Sequence, residues 1–272
     1  PKPQTPNPKP QTPNPCLETG VYGNLRKIII LMAAFKKGGL RILVTGGVFL
    51  GEFEHNESLS QDAYEALFEV LQAAKDKADI ALILGNLFYL NNPSNETLTN
   101  TLSILKQQVL GDGHIGFSVR KYDPNFANKD FNISLPIFAI HGSKDSPSSD
   151  NLTSSLDIVH YSNYINYVGK ITDFDNIEIK PILIEKENGI KIAMYFLGNV
   201  REVKLSALLA LGKIAFKRVE GDGIFRILCV NQKREKDGEN YKTGVFPKLE
   251  IHPKDFPDMF DLILWGGDTE PT

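Results

Sequence analysis

Short apolar runs alternating with longer stretches of three-to-four-residue periodicity organise the chain from about residue 40 onward. The apolar runs predict strands over residues 41–45, 80–84, 136–140, 177–185, 191–197, 225–230 and 260–265. Each is rich in β-branched or aromatic residues and is bounded by Gly, Asp, Asn or Pro. Ala63, Leu67, Val70, Leu71 and Ala74 recur at helical spacing and predict a helix over 61–77. Leu98, Leu102, Leu105 and Val109 predict a second over 95–109, with Ser94 placed to cap it, and a third is expected over 202–216. Strands separated by helices define an α/β protein.

Two regions depart from this pattern. Residues 1–15 repeat the unit PKPQTPN twice, and seven of the fifteen are proline. Proline removes backbone donors and favours extended polyproline II backbone, so residues 1–16 read as a disordered tail and 17–272 as the domain. Such a tail can also serve as a ligand for a proline-recognition module. Between Val109 and Ile137 lies a long polar stretch read as a loop, of a length that is usually functional.

The remaining composition narrows the function classes. A hydrophobic fraction of 42% and a net charge of −3 describe an ordinary globular chain and argue against a generally basic nucleic-acid coat. The two cysteines, Cys16 and Cys229, make neither a disulfide framework nor a zinc site. The apolar run at 28–35 is far shorter than the ~20 residues of a membrane span, so it reads as a buried helix or strand segment. No cleaved signal peptide is expected, because this run follows a long polar segment.

In α/β folds, ligand sites gather at the carboxyl ends of strands. Five such ends carry glycine or small polar residues: Gly46-Gly47-Val48-Phe49, Gly85-Asn86, His141-Gly142-Ser143-Lys144-Asp145, Asn231-Gln232 and Gly266-Gly267-Asp268. They form the outline of a site without an evident catalyst. There is no dinucleotide fingerprint, no P-loop and no serine elbow.

In their order and spacing, GNLFYLNNPS (85–94), YDPNFANKDFNISLPIFAIHGSKD (122–145), AMYFLGNVREVKL (193–205) and DLILWGGDTE (261–270) carry a resemblance. Together they resemble the eukaryotic branch of the meiotic recombination eleven family of double-strand-break repair nucleases, which are calcineurin-like metallophosphoesterases. The resemblance implies a four-layer α-β-β-α sandwich, with a second sheet expected to be incomplete because family members continue beyond the position of Thr272. It also implies two manganese ions, which activate water and stabilise the charged transition state.

Motif by motif, the resemblance places the family's ligands on other residues here. The Asp-x-His motif falls on Gly47 and Phe49, the Gly-Asp motif on Gly85-Asn86, and the next His on Tyr89. Asn-His falls on Ser143-Lys144, with Lys144 at the catalytic His position; a single His falls on Asn231, and His-x-His on Gly267 and Thr269. The expectation is a non-catalytic relative, a pseudonuclease acting as an interaction or scaffold subunit, with no cofactor. The alternative is a manganese-dependent nuclease with rebuilt ligands, for which Asp145, Asp268 and Glu270 offer a residual polar site. Lys144 is read as reaching solvent over a packed stem rather than binding phosphate.

The same resemblance sets the partner expectations. Leu98, Leu102, Leu105 and Val109 lie where family members dimerise, and serve either a core or a homodimer or heterodimer face. The family's coiled-coil ATPase and Nijmegen breakage partners are in doubt, because the region after Thr272 is missing and the 109–136 loop is short. DNA binding is expected to be weak or absent, since a family Arg position is Leu59. A nuclear location follows from the family. The segment 25–37 is expected to cover an open edge of the second sheet.

Overall fold

The structure, a computed structural model, describes the backbone of residues 16–20 and 28–33 and the chain over 39–56, 58–148, 151–234 and 251–267. Its first sheet joins β1 (Cys16–Gly20), β2 (Ile28–Ala33), β3 (Leu40–Thr45), β4 (Ile80–Leu84), β6 (Ile137–Ile140) and β7 (Asn166–Tyr167), in that order. From β3 to β7 the strands are parallel; β2 pairs antiparallel with both β1 and β3. The second sheet has the order β13 (Leu262–Trp265), β12 (Ile224–Val230), β10 (Lys191–Leu197), β9 (Ile182–Lys186), β5 (Phe117–Arg120). A separate pair joins β8 (Ile177–Ile179) to β11 (Ile214–Phe216).

Strand periodicity sorts the side chains into layers. Leu43, Ala81, Ile83, Ile137 and Ala139 pack against α1 (Asp62–Lys77) and α2 (Asn95–Val109). Their neighbours Ile42, Val44, Leu82, Leu84, Phe138 and Ile140 point the other way and meet Ile184, Ile192, Met194, Phe196, Ile227 and Cys229 of the second sheet. The far face of that sheet, with Tyr195, Leu197, Leu228 and Val230, packs on Leu205 and Leu208 of α4 (Glu202–Ala210) and on β8. The chain therefore folds as the four-layer α-β-β-α sandwich.

Several elements differ from expectation. The strand expected over 177–185 is two strands in different sheets, because Pro181 between them has no N–H to give a ladder. The helix expected over 202–216 stops at Ala210; Gly212 turns the backbone at φ +63, and the following residues become β11. The loop after α2 contains β5, pinned to β9 by its ladder and by the Arg120–Glu185 ion pair at 2.9 Å. A helix was not foreseen over Ser155–Tyr161, here α3, although Ser154 and Asp157 form a capping box at its start. Residues 28–33 do not cover the second sheet: they pair with β3 and widen the first. The proline-rich residues 1–15 lie outside the described residues.

Ser94 caps α2 as expected, accepting a hydrogen bond from the Thr97 amide at 3.0 Å. The aliphatic stripe of α2 divides. Leu105 and Val109 are fully buried in the core against α1, whereas Leu98 and Leu102 are half-buried at its margin.

Candidate functional site

The parallel strands of both sheets end along one edge, and their following loops touch. The Gly47 amide donates to the Gly85 carbonyl at 3.0 Å, and the Phe49 amide to the Asn86 carbonyl at 3.0 Å. At Gly85 a side chain is barred: φ is +91, and a Cβ would fall 2.4 Å from Asn231 Nδ2 and 2.7 Å from the Gly142 amide nitrogen. Gly142 is equally constrained, since its Cβ would lie 2.2 Å from Asn86 Oδ1. The glycines flagged from sequence thus permit close approach of loops rather than cradle a ligand.

Asp145 organises this edge. It is fully buried, and its Oδ1 accepts from the amides of Gly142 at 2.7 Å and Asn86 at 3.2 Å, while Oδ2 accepts from Phe88 at 3.2 Å. Burial pushes its carboxyl above the ordinary carboxylate range, opposed by these amides. Its oxygens are therefore committed to backbone, and Asp145 acts as a strut between two loops rather than as part of an open polar site. Asp268, Thr269 and Glu270 lie outside the described residues.

Three side-chain amides complete the framework. Asn86 Oδ1 accepts from the Lys144 amide at 2.9 Å. Asn231 Nδ2 donates to the Leu84 carbonyl at 2.6 Å, tying the end of β12 to the end of β4. Asn199, at the end of β10, donates from Nδ2 to the Asn231 carbonyl at 2.9 Å and from its backbone amide to the His141 carbonyl at 3.0 Å. His141 Nε2 lies 3.2 Å from the Asn199 carbonyl, and its Nδ1 lies 2.8 Å from the Tyr167 hydroxyl. A carbonyl only accepts, so Nε2 carries the proton and Tyr167 donates to Nδ1. Burial lowers the His141 pKa to about 4.

Over this framework lies an aromatic and cationic cover. Tyr89 meets Phe49 edge-on with centroids 6.4 Å apart, and Lys144 Nζ stands 4.8 Å from the Tyr89 centroid. That distance is within cation–π reach. Ser143 and Lys144 are exposed. Gly267 packs against the Gln232 backbone, where a Cβ would fall 2.3 Å from the Gln232 carbonyl oxygen.

Among the described residues, the side chains at the aligned ligand positions offer little to a pair of divalent cations: Gly47 and Phe49 have no side-chain donor atom, the Asn86 and Asn231 amides bond backbone groups, and an ammonium such as that of Lys144 repels a cation. Among the described residues no group of three or more His, Cys, Asp or Glu could hold a metal. A further strand end, Gly198-Asn199 after β10, belongs to this edge and is not among the five named from sequence. The signal was present, a Gly-Asn pair directly following an apolar strand.

Comparison with known proteins agrees with the architecture. The chain is 30% identical over 234 residues to the double-strand break repair protein MRE11 of Encephalitozoon cuniculi, covering 85% of this chain and 39% of that protein. It is 32% identical over 253 residues to MRE11 of Oryza sativa subsp. japonica, covering 85% of this chain and 35% of that one. This chain is a relative of MRE11. To the human protein the MRE11-like chain is 29% identical over 244 residues, again 85% of its length and 33% of that protein's. It spans between a third and two-fifths of the curated relatives it matches. No protein-family model matches the MRE11-like chain. Among its described residues no helix is long and apolar enough to cross a membrane.

Proposed function

We propose that this chain is a non-catalytic relative of a double-strand-break repair nuclease, acting in the nucleus as an interaction or scaffold subunit. The carrying observation is the second use made of the carboxyl edge. Asn86 and Asn231, at positions the resemblance aligns with metal ligands, spend their amides on the Lys144 and Leu84 backbones. Lys144, at the aligned catalytic His, stacks its charge on Tyr89, which packs on Phe49. The edge is thus cross-linked by neutral amides and covered by rings, an arrangement that ties loops together where the family holds its metal ions.

Two outcomes test this reading. Manganese titrated into the chain in a calorimeter is expected to give only weak, unsaturated heats, and incubation with manganese and single- or double-stranded DNA to leave the DNA intact. A tight two-ion isotherm with cleavage would instead establish the manganese-dependent nuclease with rebuilt ligands.

The interaction role is assigned to the exposed margin of α2. Leu98 and Leu102, with Ile104, are its partly accessible apolar residues, and a second copy or an active relative is the proposed partner. Light scattering at micromolar concentration is expected to give a dimer mass, and Leu102→Asp a monomer with an unchanged circular dichroism spectrum. A wild-type monomer removes self-pairing.

A further inference from the structure

Away from the carboxyl edge, the seam between the two sheets opens on the β7 side. β7 is only two residues long and meets β6 through Phe138 and Ala139 alone. Past Tyr167 the chain turns at Gly169, φ +74, and runs as irregular backbone to β8. Among the described residues no further strand closes the seam here, and a cavity of about 450 Å³ remains between this segment and strands β8, β9 and β10. Small-molecule sites occupy roughly 300–1,000 Å³.

Three features of the lining select a ligand. The first is a set of rings: Tyr122, Tyr167 and Phe196 line the cavity. Phe138 backs them, 5.9 Å from Phe196 and stacked on it, and 6.1 Å from Tyr122. Rings held in place by stacking offer flat faces to another ring at little entropic cost. The second is charge balance. Lys170 pairs with Asp157 at 2.9 Å, Glu178 pairs with both Lys180 at 3.0 Å and Lys217 at 2.7 Å, and Asp173 adds a further carboxylate to the lining, so the charges around the cavity offset one another. The third is the Tyr122 hydroxyl, which has no hydrogen-bond partner among the described residues. Burial pushes its pKa up to about 12, which keeps it a neutral donor.

We propose that this cavity binds a small, flat, uncharged aromatic molecule of one or two rings whose acceptor atom accepts a hydrogen bond from the Tyr122 hydroxyl. Its lining includes none of the positions aligned with metal ligands; it meets the carboxyl-edge framework through Tyr167, which donates to His141, and through Gly169, whose carbonyl accepts from the Gly198 amide at 2.9 Å. The reading therefore stands whether or not the chain is a nuclease.

Quinoline is a suitable probe, being flat, neutral at pH 7.5 and equipped with one ring-nitrogen acceptor. Titrated into the isotopically labelled chain, it is expected to shift the amide resonances of Val168, Gly169 and Ile182 along one saturating curve. Tyr122→Phe keeps the ring and loses the donor, and weakens binding by about threefold to tenfold, the usual worth of one hydrogen bond. Val168→Phe narrows the cavity and weakens the binding. Thr172→Trp, an exposed change at the rim that spares the core, weakens binding by obstruction and covers the case in which Val168→Phe does not fold. N-methylquinolinium, which is charged, and cyclohexanone, which is not flat, are expected to bind at least about tenfold more weakly than quinoline. Failure of quinoline to saturate, unchanged affinity in Tyr122→Phe, or equal binding of either comparator overturns the proposal.

Discussion

Asp145→Ala is expected to lower the unfolding free energy, measured by urea titration at pH 7, by about 4 kcal/mol. The substitution removes one small side chain, yet it leaves the amides of Asn86, Phe88 and Gly142 buried without an acceptor. An orphaned buried donor costs about 1–3 kcal/mol, and the substitution orphans three amides while leaving a small cavity. Domains of this kind have only about 5–15 kcal/mol in total, so the loss is a large part of the whole. Asp145→Asn separates the hydrogen bonds from the shape. Its single oxygen can serve the Asn86 and Gly142 amides but turns an N–H toward Phe88, and about half the loss is expected. A loss below about 1 kcal/mol in Asp145→Ala would show that the loops are held by something other than this carboxylate.

The second large effect is a dependence on pH set by His141. In the folded chain burial holds the imidazole neutral down to about pH 4. In the unfolded chain it protonates near its ordinary value of about 6.5, so between these two values the unfolded state binds more protons. Its stabilising contribution is complete above pH 6.5 and is lost as pH falls toward 4. Between pH 7 and pH 4.5 the loss comes to about 2–3 kcal/mol. Asp145 works in the opposite sense: with its carboxyl raised in the fold, its protonation favours the native state as pH falls, and that contribution disappears as pH rises. The His141 term is isolated by comparing the wild type with His141→Gln, which keeps a donor for the Asn199 carbonyl and cannot take on charge. The variant is expected to be less stable at pH 7 and to show a shallower fall toward pH 4.5. Parallel curves for the two proteins would remove His141 as the titrating group.

Much of the fold could be read along the chain because its strands are locally explicit. Ile80–Leu84 and Lys191–Leu197 occur where the apolar runs predict them, and Ser94 caps the helix it precedes. Misreadings arose where a single residue overrides a long apolar trend. Pro181 divides one β-rich run between two sheets, and Gly212 ends a leucine-rich helix four residues before its apolar pattern ends. The site divided differently. Which residues follow the strand ends was legible from spacing, but what each does there was not. Asp145 looks like a free carboxylate in a polar loop, and only the convergence of amides from two distant loops makes it a strut. Asn199 gave a weaker sign still, because its role depends on Asn231 and His141, which reach it from other strands.

One contact has a bearing on how the chain is made. The Asn231 amide that closes onto the Leu84 carbonyl joins residues 147 positions apart. During synthesis from the amino terminus, β3 and β4 can pair and collect α1 and α2 well before β12 leaves the ribosome. The loop at Gly85-Asn86 gains this cross-strand anchor only after β12 is made. The carboxyl edge is accordingly completed only once β12 has been made, and a chain arrested before residue 231 would carry a formed first sheet with that edge still open to chaperones and proteases.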